Sequence, residues 1–129
     1  MPAINVVFFR ERRGSSPVLD WLVELRRTDP KGYSKCNAAI ARLALLGYEL
    51  RRPEADFLRN GIYELRVRLG SVNYRILYFF FGQQATVLLH ALTKEAAIPN
   101  VELNRALARK AAFTANPTEH TLIERIDHA

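Results

Sequence analysis

The sequence is poor in residues that hold small domains together covalently or through metals. Its 129 residues include one cysteine, Cys36, which cannot form a disulfide within the chain or supply a cysteine cluster for zinc. The longest apolar run, residues 76–81, is far too short to cross a bilayer, and the N-terminus lacks the apolar stretch of a secretory signal peptide. No spacing of residues typical of metal ligands occurs. We therefore expect a cytoplasmic protein that uses no metal or other cofactor.

Lysine is also scarce, although the chain is strongly basic. Only four of the 19 cationic residues are lysines and the other 15 are arginines, against 13 acidic residues, which gives a net charge of +6. A guanidinium binds phosphate through a planar pair of N–H groups and stacks on bases, whereas an ammonium acts as a point charge. The composition favours a nucleic acid or an acidic protein as partner, with a plain compositional bias as the alternative.

Turn residues and apolar periodicity divide the chain into seven elements. A strand is predicted over residues 4–9, followed by two helices whose starts are marked by Ser16-Pro17 and Asp29-Pro30. The remaining predicted elements are three strands and a final helix, at residues 62–69, 72–81, 85–92 and about 100–113. The predicted order is therefore β-α-α-β-β-β-α.

This order predicts an α+β domain with a mostly antiparallel sheet and a helical hairpin on one face of the sheet. A chain of this length forms one domain by default. We expect that domain to span residues 1–115, and residues 116–129 to form a short helix or a loose tail. Residues 47–61 are expected to be a polar connector that ends in a turn.

The strand predicted at residues 62–69 alternates between apolar and mostly polar side chains. Alternation points the odd-numbered residues, which are all apolar, toward the core under the helical hairpin. The opposite face, which is partly open to solvent, is then expected to carry Ile62, Glu64, Arg66 and Arg68. The alternative to a functional role for these arginines is a solvated polar face on which Glu64 pairs with Arg66.

Arg75 lies in the most apolar of the predicted strands, within the segment NYRILYFFF at residues 73–81. A guanidinium buried there without a partner would cost several kcal/mol. Either a carboxylate from elsewhere, such as that of Glu64, pairs with Arg75, or Arg75 lines a concave surface that receives an anion. Because Arg66 and Arg68 lie on the preceding strand, we expect the second arrangement.

Four motifs follow one another between residue 60 and about residue 110. They are GIYELR, YRILYFF, LHALTK, and a proline that precedes the final helix. In this combination and order they resemble the toxins of the RelE/ParE superfamily, and more closely the phage-derived, HigB-like branch of that superfamily. The predicted N-terminal strand and helical hairpin agree with the order of elements in the family.

The resemblance implies the toxin of a type II toxin–antitoxin system. Many members of the superfamily cleave mRNA on the ribosome without a metal, by attack of a ribose 2′-OH on the adjacent phosphate. It therefore implies an endoribonuclease that inhibits translation. The implied partner is an antitoxin of helix-turn-helix type that neutralises the toxin, and the toxin is expected to contact DNA only indirectly, through this antitoxin. The alternatives are a ParE-type poison of DNA gyrase, and an inactive member that only binds its antitoxin and acts as a co-repressor.

The resemblance also assigns roles to individual residues. Arg75 matches the arginine that ribosome-dependent members place at the scissile phosphate, and Arg66 and Lys94 match further cationic positions of the catalytic site. Glu64 and Glu95 stand where RelE has cations, which removes two positive charges from the expected site.

Four more residues are candidates for the site. His90 is the only histidine in the matched region, and its near-neutral pKa makes it a candidate proton shuttle, with a structural histidine as the alternative. Arg68 lies beside Arg66 on the same predicted face. Arg105 and Arg109 are four residues apart on the final helix. We expect these three arginines to contact RNA, with a solvated helix face as the alternative for the helical pair.

Overall fold

The computed structural model describes residues 5–12, 14–83, 85–93 and 98–123. Within these residues, three helices and six strands follow the predicted order, with one unpredicted strand inserted and another added near the end. In chain order the elements are β1 (Asn5–Phe9), α1 (Pro17–Thr28), α2 (Pro30–Leu46), a short 3-10 turn (Gly47–Glu49), β2 (Ala55–Arg59), β3 (Ile62–Leu69), β4 (Val72–Phe81), β5 (Ala85–Thr93), α3 (Asn100–Ala115) and β6 (Thr121–Leu122).

The two helices of the hairpin begin at Pro17 and at Pro30, as the two proline signals predicted. The Asp29 carboxylate accepts a hydrogen bond from the backbone N–H of Gly32 at 3.1 Å, so Asp29 caps α2 as its sequence position indicated. Ser16 occupies the corresponding position before α1 but makes no side-chain cap. Its buried hydroxyl instead donates to the backbone oxygen of Phe9 at 2.9 Å and fixes the connection between β1 and α1.

Gly32 lies where the first turn of α2 touches the sheet. A Cβ atom at this position would lie 2.3 Å from Asp29 Oδ2 and 2.5 Å from the Tyr74 hydroxyl, which donates a hydrogen bond to that carboxylate oxygen. We expect Gly32→Ala to destabilise the protein by about 1–3 kcal/mol through overpacking, although alanine raises helix propensity by up to about 1 kcal/mol.

The control for Gly32→Ala is Ser34→Ala, which changes an exposed residue of the same helix. Urea denaturation of both variants should lower the midpoint only for Gly32→Ala. A midpoint for Gly32→Ala at or above that of the parent would contradict the close contact between α2 and β4.

The sheet has the strand order β2-β3-β4-β5-β1-β6. β1 pairs with β5 in parallel, and every other neighbouring pair is antiparallel. β2 lies within the segment that was expected to be a connector, and β6 within the segment expected to be a short helix or a loose tail. The expectation of a connector is corrected for Ala55–Arg59, because pairing with β3 makes this segment an edge strand. In the C-terminal segment, the described residues Thr121–Leu122 pair with β1 at the other edge of the sheet.

Both faces of the sheet carry a hydrophobic core. The helical hairpin covers one face, where Leu22, Ile40 and Leu65 are among the buried side chains. α3 packs on the other face through residues that include Leu103 and Phe113, so Ile62 is fully buried there and does not face solvent as alternation suggested. In the described part of the chain, no helix combines the length and the apolar character that a membrane span requires.

Candidate functional site

A cleft opens on the α3 side of the sheet, next to the two arginines expected to bind a phosphate. Its volume is about 490 Å³, and β2, β3, β4, Ile98 and the first turn of α3 contribute to its lining. Arg66 of β3 and Arg75 of β4 both line the cleft and are direct cross-strand partners. The antiparallel register thus brings the two guanidiniums, nine positions apart in sequence, to one place on the sheet.

The carboxylate of Glu64 forms ion pairs with both of these arginines. This carboxylate is only 1% exposed; Oε1 accepts a hydrogen bond from Arg66 Nε at 2.8 Å, and Oε2 accepts one from Arg75 Nη1. Arg75 is largely buried, whereas the Arg66 side chain is 44% exposed. Arg75 therefore has both features that were treated as alternatives: it lines a cleft, and a carboxylate from the neighbouring strand compensates its charge. The expectation that an anion rather than Glu64 would balance this charge is corrected.

The network extends outward across β2. Asp56 accepts a hydrogen bond from Arg66 Nη2 at 3.2 Å and one from Arg52 Nε at 2.8 Å. The Arg52 guanidinium lowers the pKa of Asp56, and the Glu64 carboxylate raises the pKa of Arg66. These contacts form a chain of alternating charges, with three cations and two anions, that runs through Arg52, Asp56, Arg66, Glu64 and Arg75. The guanidiniums are held in fixed orientations, and the chain keeps one net positive charge.

Asp56 was not anticipated as part of the site, because β2 was not predicted. The segment ADFLR immediately before the Asn60-Gly61 turn was the available signal, since a two-residue turn of this type commonly joins paired strands. Asn60 has a φ of 51° and Gly61 a φ of 79°, which are the positive values that such a turn requires.

His90 lies two strands away from Glu64 on the same face, with Leu77 between them in the register. Its Nδ1 is 2.8 Å from Arg109 Nη1, and its Nε2 is 3.2 Å from Glu102 Oε1. A guanidinium can only donate, so Nδ1 accepts and Nε2–H donates to the carboxylate. The geometry therefore fixes one neutral tautomer and agrees with the structural alternative for His90. His90 is not among the described residues that line the cleft.

The two arginines of α3 do not form the exposed ridge that their spacing suggested. Arg109 turns inward and is only 19% exposed; besides His90 it bonds the backbone oxygen of Leu89 at 3.0 Å. Arg105 is 58% exposed and lies 3.6 Å from Glu102. Arg109 therefore fastens α3 to β5, and only Arg105 remains on the surface.

Stability should depend on pH through His90. Burial lowers the pKa of His90 below its usual value, with Arg109 and Arg105 acting in the same direction and Glu102 opposing them. The unfolded chain then binds the proton more readily than the folded protein does. The contribution of neutral His90 to the free energy of unfolding is complete above the pKa of the unfolded state, about 6.5. It is lost as pH falls below that value toward the pKa of the folded state.

The measurement is urea denaturation at about pH 8 and about pH 5 for the parent and for His90→Gln, whose amide keeps one donor and one acceptor. We expect the parent to lose more stability on acidification than the variant. Equal losses in the two proteins would show that His90 contributes nothing to the pH dependence.

The remaining candidates are placed as follows. Lys94 and Glu95 lie outside the described residues. Arg68 is exposed on β3, and its Nε donates to the backbone oxygen of Gly70 at 3.0 Å. Among the residues that the structure describes, no group of three or more histidine, cysteine, aspartate or glutamate side chains is arranged to hold a metal ion.

The fold and its comparison with known proteins define the class of the protein. The three helices and the six-stranded, mostly antiparallel sheet found in the described part of the chain are consistent with a RelE-like α+β fold. The chain belongs to the family described as phage-derived protein Gp49-like (DUF891), whose model matches residues 23–111. This family is associated with RelE-like toxins of toxin–antitoxin systems. A search of curated proteins found no match.

Proposed function

We propose that the protein is the toxin of a type II toxin–antitoxin system, of the HigB-like branch, and that it cleaves mRNA on the ribosome. The observation that carries the proposal is the pair of guanidiniums, Arg66 and Arg75, side by side in an open cleft. A shared carboxylate, that of Glu64, holds both in place. Preorganised donors of this kind stabilise charge that develops on a reacting phosphate without reorganising during the reaction.

The reaction proposed is attack of a ribose 2′-OH on the adjacent phosphate, which forms a 2′,3′-cyclic phosphate and breaks the P–O5′ bond. The 2′-OH gives up its proton, and the leaving 5′-oxygen takes one up to become a hydroxyl. Arg75 would donate to the phosphate oxygens as their negative charge grows, and Arg66, which is more exposed, would hold a neighbouring phosphate. Lys94 keeps the role that the family resemblance assigns to it, as a further cation of the site. The carboxylate that lines the described cleft, that of Glu64, is paired with both arginines, and His90 is held in a neutral tautomer elsewhere on the sheet. The described residues of the cleft therefore offer no free base for the 2′-OH proton.

The ribosome would supply what the cleft lacks. By holding mRNA with its 2′-OH in line with the phosphate, it could contribute roughly 7–11 kcal/mol through proximity and orientation. A toxin of this kind also requires an antitoxin. An acidic antitoxin surface would complement a chain of net charge +6 and would speed the encounter.

A second function, inhibition by binding alone, has one observation in its favour. Glu64 offsets much of the positive charge that a nuclease would present to RNA. A gyrase poison, or a co-repressor that only binds its antitoxin, would need no free cation in the cleft. The test therefore includes an assay of DNA supercoiling by gyrase, which detects inhibition by binding.

The test is to mix the purified full-length protein with naked mRNA and with programmed ribosomes, each with and without EDTA at levels that leave the ribosomal subunits joined. We expect cleavage only in the ribosome arms, and we expect EDTA not to prevent it. The reason is that Arg66 and Arg75 provide the charge stabilisation, while the ribosome provides the orientation.

Two results would contradict the proposal in different ways. Strong cleavage of naked mRNA that EDTA stops would indicate a metal-dependent nuclease. No cleavage in any arm, together with inhibition of DNA supercoiling by gyrase, would establish the binding function in its place.

A further inference from the structure

A second cavity lies on the other side of the edge strand β2. Its volume is about 470 Å³, and its lining comes from Tyr48 of the 3-10 turn after α2, residues 50–52 and 55–57, and Tyr63. Two aromatic side chains in this lining are unusually exposed for their size, Tyr48 at 48% and Phe57 at 53%. We call this cavity the edge pocket. A single exposed aromatic residue needs no explanation, but two in one cavity form a surface that a ligand could cover.

Both exposed rings are held in place by rings beneath them. Phe57 packs edge-on against Tyr63, with centroids 5.2 Å apart. Tyr48 lies 4.0 Å from the centroid of Phe80, and its hydroxyl donates to the backbone oxygen of Gly82. A flat ligand would therefore meet rigid rings and would lose little side-chain entropy to them.

Arginines accompany the aromatic rings. Arg51 and Arg52 both line the edge pocket and are exposed. Asp56 anchors the Arg52 guanidinium, whereas the Arg51 side chain makes no ion pair with any residue in the described ranges. The edge pocket thus combines fixed aromatic faces with at least one guanidinium that is available to an anion.

The edge pocket and the cleft that contains Arg75 share one lining residue. Phe57 lines both cavities, and Arg59 and Arg66 lie on the cleft side of it. Arginines therefore line both cavities, and the ring of Phe57 belongs to both. Single-stranded nucleic acid presents phosphates and bases to a protein together, and proteins that bind it combine basic grooves with aromatic side chains on which bases stack.

We propose that the edge pocket binds a base of the single-stranded RNA whose backbone enters the cleft, with the base stacked on Phe57 and Tyr48 and a neighbouring phosphate on Arg51. This inference rests on the proposed function and adds a second RNA contact to it. An acidic peptide would satisfy the arginines but would leave the flat aromatic surface without a matching group, so the observations favour RNA.

The experiment uses an oligoriboadenylate of about ten nucleotides as the probe, and decaglutamate as a polyanion without bases. In the full-length protein, Phe57→Leu keeps an apolar side chain but removes the ring, and Phe57→Trp keeps a ring that can report stacking. Leu45→Ala, which changes an exposed apolar residue outside the lining of the edge pocket, is the control.

We expect Phe57→Leu to weaken oligoriboadenylate binding about tenfold, Phe57→Trp and Leu45→Ala to bind as the parent does, and decaglutamate binding to be the same in all four proteins. The probe should also quench tryptophan fluorescence of Phe57→Trp well beyond that of the parent, whose only tryptophan is Trp21.

Parent-like oligoriboadenylate binding by Phe57→Leu, or a loss that decaglutamate binding shares, would overturn the inference, and the second result would point to a peptide site. The proposed function is judged separately, by cleavage on programmed ribosomes. Quenching and a Phe57→Leu defect without ribosomal cleavage would uphold the RNA contact and reject the endonuclease. Cleavage on ribosomes without any binding defect in Phe57→Leu would uphold the endonuclease and reject the RNA contact at the edge pocket.

Discussion

Arg75→Ala is expected to lower the rate of mRNA cleavage on the ribosome about 100–1000-fold, because one preorganised donor at a developing oxyanion is worth about that factor. Arg75 is the arginine that lies deeper in the cleft, where its guanidinium is held by Glu64. The measurement is single-turnover cleavage of mRNA on programmed ribosomes. Growth arrest on induction in a bacterial host should fall in parallel.

The control is Arg27→Ala, which removes an exposed arginine that is paired with Glu24 on α1, away from the cleft. It should cleave as the parent does. Because Arg75→Ala also removes one partner of Glu64, its folded state must be verified by circular dichroism at the assay temperature. A folded Arg75→Ala protein that cleaves at the rate of the parent would show that Arg75 is not at the reacting phosphate.

Glu64→Ala is expected to destabilise the folded protein by about 3–5 kcal/mol, which is the usual cost of removing one member of a buried ion pair. The carboxylate is almost fully buried, and its loss leaves the largely buried guanidinium of Arg75 facing that of Arg66 without a charge between them. This loss is a large fraction of the total stability of a domain of this size. Urea denaturation at neutral pH measures it.

The matched comparison is Glu54→Ala, since the carboxylate of Glu54 also holds an arginine, Arg42, through two hydrogen bonds at 2.6 and 2.8 Å. That pair lies on the surface, where solvent screens it, so we expect only a small change. Equal effects of the two substitutions would show that burial does not make Glu64 special and that its network contributes no more than a surface ion pair.

The order of the elements could be predicted where each element carries its own signal. Asp29-Pro30 marked the start of α2, and residues 62–92 had the apolar and aromatic content of three strands joined by short turns. β2 and β6 could not be predicted in the same way. β2 is a short edge strand that begins two residues after Pro53, and β6 consists of two residues that depend on pairing with β1. Their own composition does not distinguish them from loops, and for β2 the signal lay in the Asn60-Gly61 turn that follows it.

The cleft was predictable only in part. Alternation correctly placed Arg66 on the same face as Glu64, but it did not reveal that Glu64 is buried, because that depends on the packing of α3 and of β2 against this face. A register shift in the pairing of β4 with β5 likewise leaves Leu89 without a partner in β4 and turns His90 toward α3. Simple alternation along a strand cannot anticipate such a shift.

The most direct test of the proposed function is replacement of a single ribose in the mRNA. The cut is first mapped on programmed ribosomes with the parent protein, and the nucleotide that provides the attacking 2′-OH is then replaced by its 2′-deoxy form. Attack by that hydroxyl on the adjacent phosphate predicts that cleavage at this position disappears while ribosome binding of the protein is retained. Undiminished cleavage at the 2′-deoxy position would contradict the proposed reaction.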